Sequence, residues 1–192
     1  MSETATTDLP GFADPVHGPQ TVFRAVLDAM AHPGRIVSAE AGLTAPAPLA
    51  PATAALLLTL ADAETPLWLD PEAVAARGWI TFHCGAPPAD PADAAFGVAL
   101  SLPDLTRFAP GNDDAPEQSA TVIVQVAALD AGPAYRLDGP GLREPATLRV
   151  TGLPEDFAAR WAANARLYPR GVDLVLCTAD RLVALPRTVR VA

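Results

Sequence analysis

The spacing of apolar residues shifts along the chain, and each shift predicts a different element. After Pro19, suited to the first turn of a helix because its missing N–H is not needed there, Val22, Phe23, Val26, Leu27, Ala29 and Met30 recur at helical spacing. This predicts a helix over Val16 to Ala31 that packs through those residues. Arg24 and Asp28, four apart, fall on its other side, where they can pair weakly. Pro33 and Gly34 stop the helix, and Ile36-Val37 resumes as strand. Ala41 to Pro51, rich in proline and small residues, reads as a surface connection. Ala52 to Ala61, carrying Leu56, Leu57, Leu58 and Leu60, predicts a helix apolar on most sides and buried by more than one neighbour.

Pro66 to Leu69 predicts a short strand. Asp70 and Pro71 form a cap and first turn for a helix closing at Gly78, with Trp79 to Cys84 as the next strand. Asp90-Pro91 caps one helical turn before a buried strand at Phe96 to Leu100. Pro110 to Asp114 reads as an exposed acidic loop. From Ala120 the texture changes: Thr121 to Val126, Tyr135 to Leu137 and Thr147 to Val150 are strand-like and separated by Gly and Pro turns, which predicts an antiparallel section. Pro154 to Leu167 is the last helix, with Phe157, Trp161 and Ala165 on one side. Val172 to Thr178 and Leu182 to Leu185 then pair as a hairpin through Ala179-Asp180. Helices alternate with strands early and strands cluster late, so the expectation is a layered α/β domain with a mixed sheet over residues 11–192, preceded by a flexible tail at 1–10.

Composition narrows the function. The 192 residues fit one domain with a sizeable core, half of them being hydrophobic. No apolar run approaches the ~20 residues that cross a bilayer. The first ten residues are polar, without the basic start and apolar centre of a signal peptide, and a cytoplasmic protein is expected. A net charge of −9 argues against nucleic acid or an anionic membrane as partner. The 13 basic residues are all arginine. A chain without lysine forms no Schiff base to pyridoxal phosphate, has no Walker-type phosphate lysine and no lysine general base. Cys84 and Cys177, both in expected strands, read as buried thiols acting as small hydrophobes, and no disulfide is expected between them. Scattered histidines and the lack of Cys-x-x-Cys leave no metal-ligand spacing.

Several short blocks occur in a telling order. The first is Gly11-Phe12-x-Asp14-Pro15-Val16 followed by a helix ending Met30-x-x-Pro33-Gly34-Arg35-Ile36. The second runs Gly139-Pro140-Gly141-Leu142-Arg143, then Trp161, Asn164, Tyr168-Pro169-Arg170-Gly171-Val172-Asp173-Leu174, then Ala184-Leu185-Pro186-Arg187-Thr188. In sequence, length and order the chain resembles the PhnH family, the H subunits of the bacterial carbon–phosphorus lyase system. His17-Gly18 and the proline-rich stretches around Pro46 to Pro51 and Pro87 to Pro91 match none of these blocks. The resemblance implies a three-layer α/β/α fold related to pyridoxal-phosphate-dependent transferases but without their cofactor, which agrees with the missing lysine. It further implies a homodimer working with the G, I, J and possibly L subunits. In that pathway G, H, I and L together displace adenine from MgATP, the substrate of the complex, to form α-D-ribose 1-methylphosphonate 5-triphosphate from methylphosphonate. The iron–sulfur subunit J later cleaves the carbon–phosphorus bond.

No motif here is diagnostic of catalysis. Gly139-Pro140-Gly141 looks like a phosphate loop, but Pro140 removes a donor and no clear helix follows, so a structural turn is expected. Arg35, Arg143, Arg170, Arg187 and Arg190 are the candidates for anion or partner contact, because guanidinium offers a bidentate fork to oxyanions. Solvated salt bridges are the plain alternative for all five. His32 sits where a helix C-terminus favours a cation. His17 and His83 have no partner at a telling spacing, and Asp14 most simply caps the following helix. Two functions stay open on these residues. One is a structural or co-catalytic subunit without independent activity; the other is a stand-alone nucleotide- or phosphate-binding enzyme using an arginine cluster.

Overall fold

A computed structural model describes residues 8–192. The first helix, α1, spans His17–Ala31. Asp14 opens it, its Oδ1 accepting from the Val16 and His17 N–H groups, each at 2.9 Å. The helix buries Val22, Val26 and Ala29, while Phe23 and Leu27 remain 46% and 53% exposed. Its apolar stripe is therefore wider than the face it packs. The expected Arg24–Asp28 pair does not form: Asp28 is taken by Arg35 and His32, each at 3.0 Å.

After the short strand β1 (Val37–Ser38), the connection to α2 is less superficial than its composition implied, for Leu43 and Leu49 are buried along it. Helix α2 (Pro51–Leu60) begins on Pro51 and buries six consecutive residues, Ala52 to Leu57, as a helix apolar all round should. Gly11 packs against Leu58 and His83, and Phe12 against Gly18. Leu9 is fixed as well, its carbonyl accepting from Trp79 Nε1 at 2.8 Å and lying 3.0 Å from His83 Nε2. Of the expected N-terminal tail, residues 1–7 lie outside the described residues.

Strand β2 (Leu67–Leu69) leads to a 3-10 stretch, Pro71–Ala76, capped by Asp70 Oδ1 on the Glu72 N–H. This passes directly into helix α3 (Arg77–Cys84). The expected strand at Trp79 to Cys84 is thus corrected to helix. Trp79 and Ile80 are buried together while Thr81 and Phe82 are exposed, a helical rather than an alternating pattern. Gly85, at φ 67° with its N–H on the Thr81 carbonyl, is the stop. Gly78 does not close the helix.

Strands β3 (Phe96–Ala99), β4 (Thr121–Gln125) and β7 (Asp173–Cys177) join β2 in a parallel run, and β8 (Arg181–Leu185) and β1 add antiparallel at one side. The order is β1-β8-β7-β4-β3-β2, a mixed sheet in an α/β fold. Strand β4, expected in the antiparallel section, is in fact central to this sheet. Its β-branched run reflects burial on both faces: Ile123 enters one apolar cluster with α1, α2 and α3 residues, and Val122 and Val124 enter the other. The antiparallel section proper is β5 (Ala128–Asp138), β6 (Ala146–Thr151) and β9 (Arg190–Val191), in the order β6-β5-β9. Helix α4 (Phe157–Ala165) shares the second cluster through Phe157 and Trp161.

Candidate functional site

Two blocks more than a hundred residues apart in sequence meet at one place. The turn between β5 and β6 lies on the C-terminal end of α1. A Cβ on Gly141, at φ +85°, would come within 2.6 Å of the Ala31 carbonyl oxygen and 2.7 Å of Pro33 Cδ. Only glycine permits both that backbone conformation and that approach. On the other wall Gly34 is at φ +81°, and Leu137 occupies the space its Cβ would need. Between these walls an open cleft of ≈ 670 Å³ is lined by His32, Pro33, Arg35, Leu142, Arg143 and Ala146, with glycines at its base.

The charged groups of this cleft are held differently. Arg35 gives only Nη1 to Asp28, at 3.0 and 3.4 Å. His32 Nδ1 lies 3.0 Å from the Asp28 carbonyl oxygen and donates to it, satisfying an end-of-helix acceptor. Arg143 is exposed and makes no side-chain hydrogen bond or ion pair among the described residues.

The remaining arginine candidates lie elsewhere and are occupied. Arg187 is mostly buried. Its Nη1 binds Asp173 Oδ2 at 2.7 Å and Ser119 Oγ at 2.6 Å, its Nε binds the Pro169 carbonyl at 3.0 Å, and its own N–H reaches Asp173 Oδ1 at 2.7 Å. Burial raises the Asp173 carboxyl above its ordinary value, and the Arg187 backbone N–H and guanidinium offset part of that rise. Beside this pair, Asn164 exchanges both hydrogen bonds with the Val172 backbone, at 2.8 and 2.9 Å, and Trp161 Nε1 donates to the Val189 carbonyl at 2.7 Å. Trp161, Asn164, Gly171, Asp173 and Arg187 are therefore a satisfied polar cluster pinning α4 to the sheet. Arg170 pairs with Asp113 at 3.2 Å, and Arg190 with Asp138 at 2.9 Å. Solvent-facing pairs of this kind are worth little.

Three features escaped sequence reasoning. The spacing of Asp28 to His32, four residues, was a usable signal; that of Asp28 to Arg35 was not. His17 does have a carboxylate partner, Asp14 Oδ2 at 2.8 Å, a pairing the i,i+3 spacing allowed. The Asp14 carboxyl lies below its ordinary value, chiefly because the His17 and Val16 N–H groups bind it. Ser119 carried no signal. Both thiols are free and held up by burial, Cys177 to about 12 and Cys84 to about 11. At neutral pH they are protonated hydrophobes.

Fold and site together define a class: an α/β protein with a mixed sheet, satisfied polar clusters within, and an open basic cleft where two sequence blocks meet. The comparisons make this specific. The family model for the bacterial phosphonate metabolism protein (PhnH) matches residues 10–192, and the chain belongs to that family. It is 40% identical over 185 residues, 93% of this chain and 92% of the relative, to the alpha-D-ribose 1-methylphosphonate 5-triphosphate synthase subunit PhnH of Rhizobium meliloti (strain 1021). It is 31% identical over 176 residues, 90% of this chain and 85% of the relative, to a putative C-P lyase subunit protein, HtxG, of Stutzerimonas stutzeri.

Proposed function

We propose that this protein is a subunit of the carbon–phosphorus lyase machinery in organic phosphonate catabolism. It supports formation of α-D-ribose 1-methylphosphonate 5-triphosphate from MgATP and methylphosphonate, and has no activity of its own. The match to the synthase subunit along nearly the whole of both chains carries this reading. In this reading its partners are the G, I and J subunits, with L a further candidate, and its compartment is the cytoplasm. In this reading the chain needs no cofactor, and without lysine it cannot anchor pyridoxal phosphate as a Schiff base. The parallel run β2-β3-β4-β7, buried on both faces, is compatible with a three-layer relative of pyridoxal-phosphate-dependent transferases.

A subunit that works through contacts needs surfaces. Helix α2 is spent on the core. On α1, Phe23 and Leu27 stay exposed one turn apart, which supports a homodimer or subunit contact through this helix. Co-expression with G, I and J from the same organism, one of them tagged, tests the assignment by size-exclusion chromatography with mass analysis. Co-elution in fixed ratio is expected. Elution of this chain by itself, with the partners assembled without it, would refute it.

A further inference from the structure

The cleft between the end of α1 and the β5–β6 turn has a shape and charge that the subunit reading does not use. We infer that it is a binding site for a phosphate-type oxyanion, held between Arg35 and Arg143. Three observations carry this. First, both arginines retain free donors: Arg35 commits only Nη1, to Asp28, and Arg143 commits none to any described residue. A guanidinium has five donors in a planar fork, which suits two oxygens of one phosphoryl group. Second, the cleft lining holds both guanidiniums and no carboxylate, and Asp28 pairs with Arg35 from outside that lining. With Asp28 offsetting Arg35, Arg143 supplies the uncompensated positive charge of this lining on an otherwise acidic protein. Third, the walls are preformed: Gly141 sits on Ala31 and Pro33 with no room for a side chain, so the arginines are carried on fixed backbone.

The cleft's ≈ 670 Å³ falls within the usual range for small-molecule sites, about 300–1,000 Å³. Pro33, Leu142 and Ala146 offer an apolar rest for whatever carbon skeleton bears the phosphoryl group. Asp28 acts as a positioning residue, holding the Arg35 guanidinium by one nitrogen while Nε and Nη2 stay available. The site is independent of the partner assignment, since every residue in it belongs to this chain.

The test is calorimetric titration of the full chain, without partners, with inorganic pyrophosphate at low and high sodium chloride. Saturable binding that weakens with salt is expected. Arg143→Gln should weaken it about tenfold or more, the usual effect of losing a charge-assisted pair. Because Arg143 has no side-chain partner among the described residues, thermal unfolding should be unchanged. Arg166→Gln removes one exposed charge outside the cleft and should leave binding intact. Absence of saturable binding, or equal weakening by both variants, would overturn the site. So would an Arg143→Gln protein that binds pyrophosphate normally but no longer co-elutes with the other subunits, for the cleft would then be a protein contact. Failure of co-elution by the native chain would leave the titration result standing, so the two readings fail separately.

Discussion

At the scale of single residues, charge is used in two opposed ways. Arg187 is mostly buried and spends its donors on Asp173, Ser119 and the Pro169 carbonyl, whereas Arg143 is exposed and spends none on a described residue. Both arginines lie in blocks that resemble the same family, so sequence alone ranked them equally as anion contacts. Geometry separates them. Removing the Arg187 side chain would leave the Asp173 carboxylate with only the residue-187 backbone N–H, and breaking a buried pair in this way costs up to about 3–5 kcal/mol. Arg187→Ala should accordingly show a large drop in the urea midpoint of unfolding. A midpoint close to that of the native protein would mean that Asp173 is not held by this pair. The raised Asp173 carboxyl sharpens this expectation: part of the burial cost is already uncompensated with the arginine present.

At the scale of elements, the β5–β6 turn is tightly constrained. Gly141 combines φ +85° with a Cβ position 2.6 Å from a carbonyl oxygen. A non-glycine residue forced into such a conformation costs about 1–3 kcal/mol, and the contact with Ala31 adds to it. Gly141→Ala should therefore lower the unfolding midpoint and weaken pyrophosphate binding together, because the turn must lift from α1. A substitution that left both unchanged would show that the turn is not seated as described.

The elements legible in the sequence were those with long periodic or punctuated patterns. Helix α1 between Asp14 and Pro33-Gly34, the all-apolar α2 and the β7–β8 hairpin are cases of this. Helix α3 was not legible, because Trp79 to Cys84 combines aromatic and β-branched residues that favour strands while burying only Trp79 and Ile80 fully. Its tertiary hold, Trp79 Nε1 on the Leu9 carbonyl, joins positions seventy residues apart. Strand β4 was legible as a strand but not as a parallel one, since its partners β3 and β7 are set by topology rather than by adjacent turns. For the site, each arginine was visible. That Arg35 and Arg143 share a cleft while Arg187 is locked away depends on contacts no local pattern encodes.

At the scale of the whole molecule, an acidic, lysine-free chain places its polar order inside and leaves an open cleft and the apolar flank of α1 outside. The polar clusters around Asn164 and Arg187 are satisfied internally and hold α4 on the sheet, which is what a subunit with a fixed outer surface requires. In the proposed reading such a protein contributes binding and position, and adenine displacement depends on what it is assembled with. Adenine release from MgATP reports on this dependence. The G, I and L subunits would be combined with MgATP and methylphosphonate, with and without this chain, and released adenine followed by liquid chromatography. Release is expected only when this chain joins its partners, and none from this chain alone. Release by the isolated chain, or undiminished release when it is left out, would show that this protein is not a partner-dependent subunit.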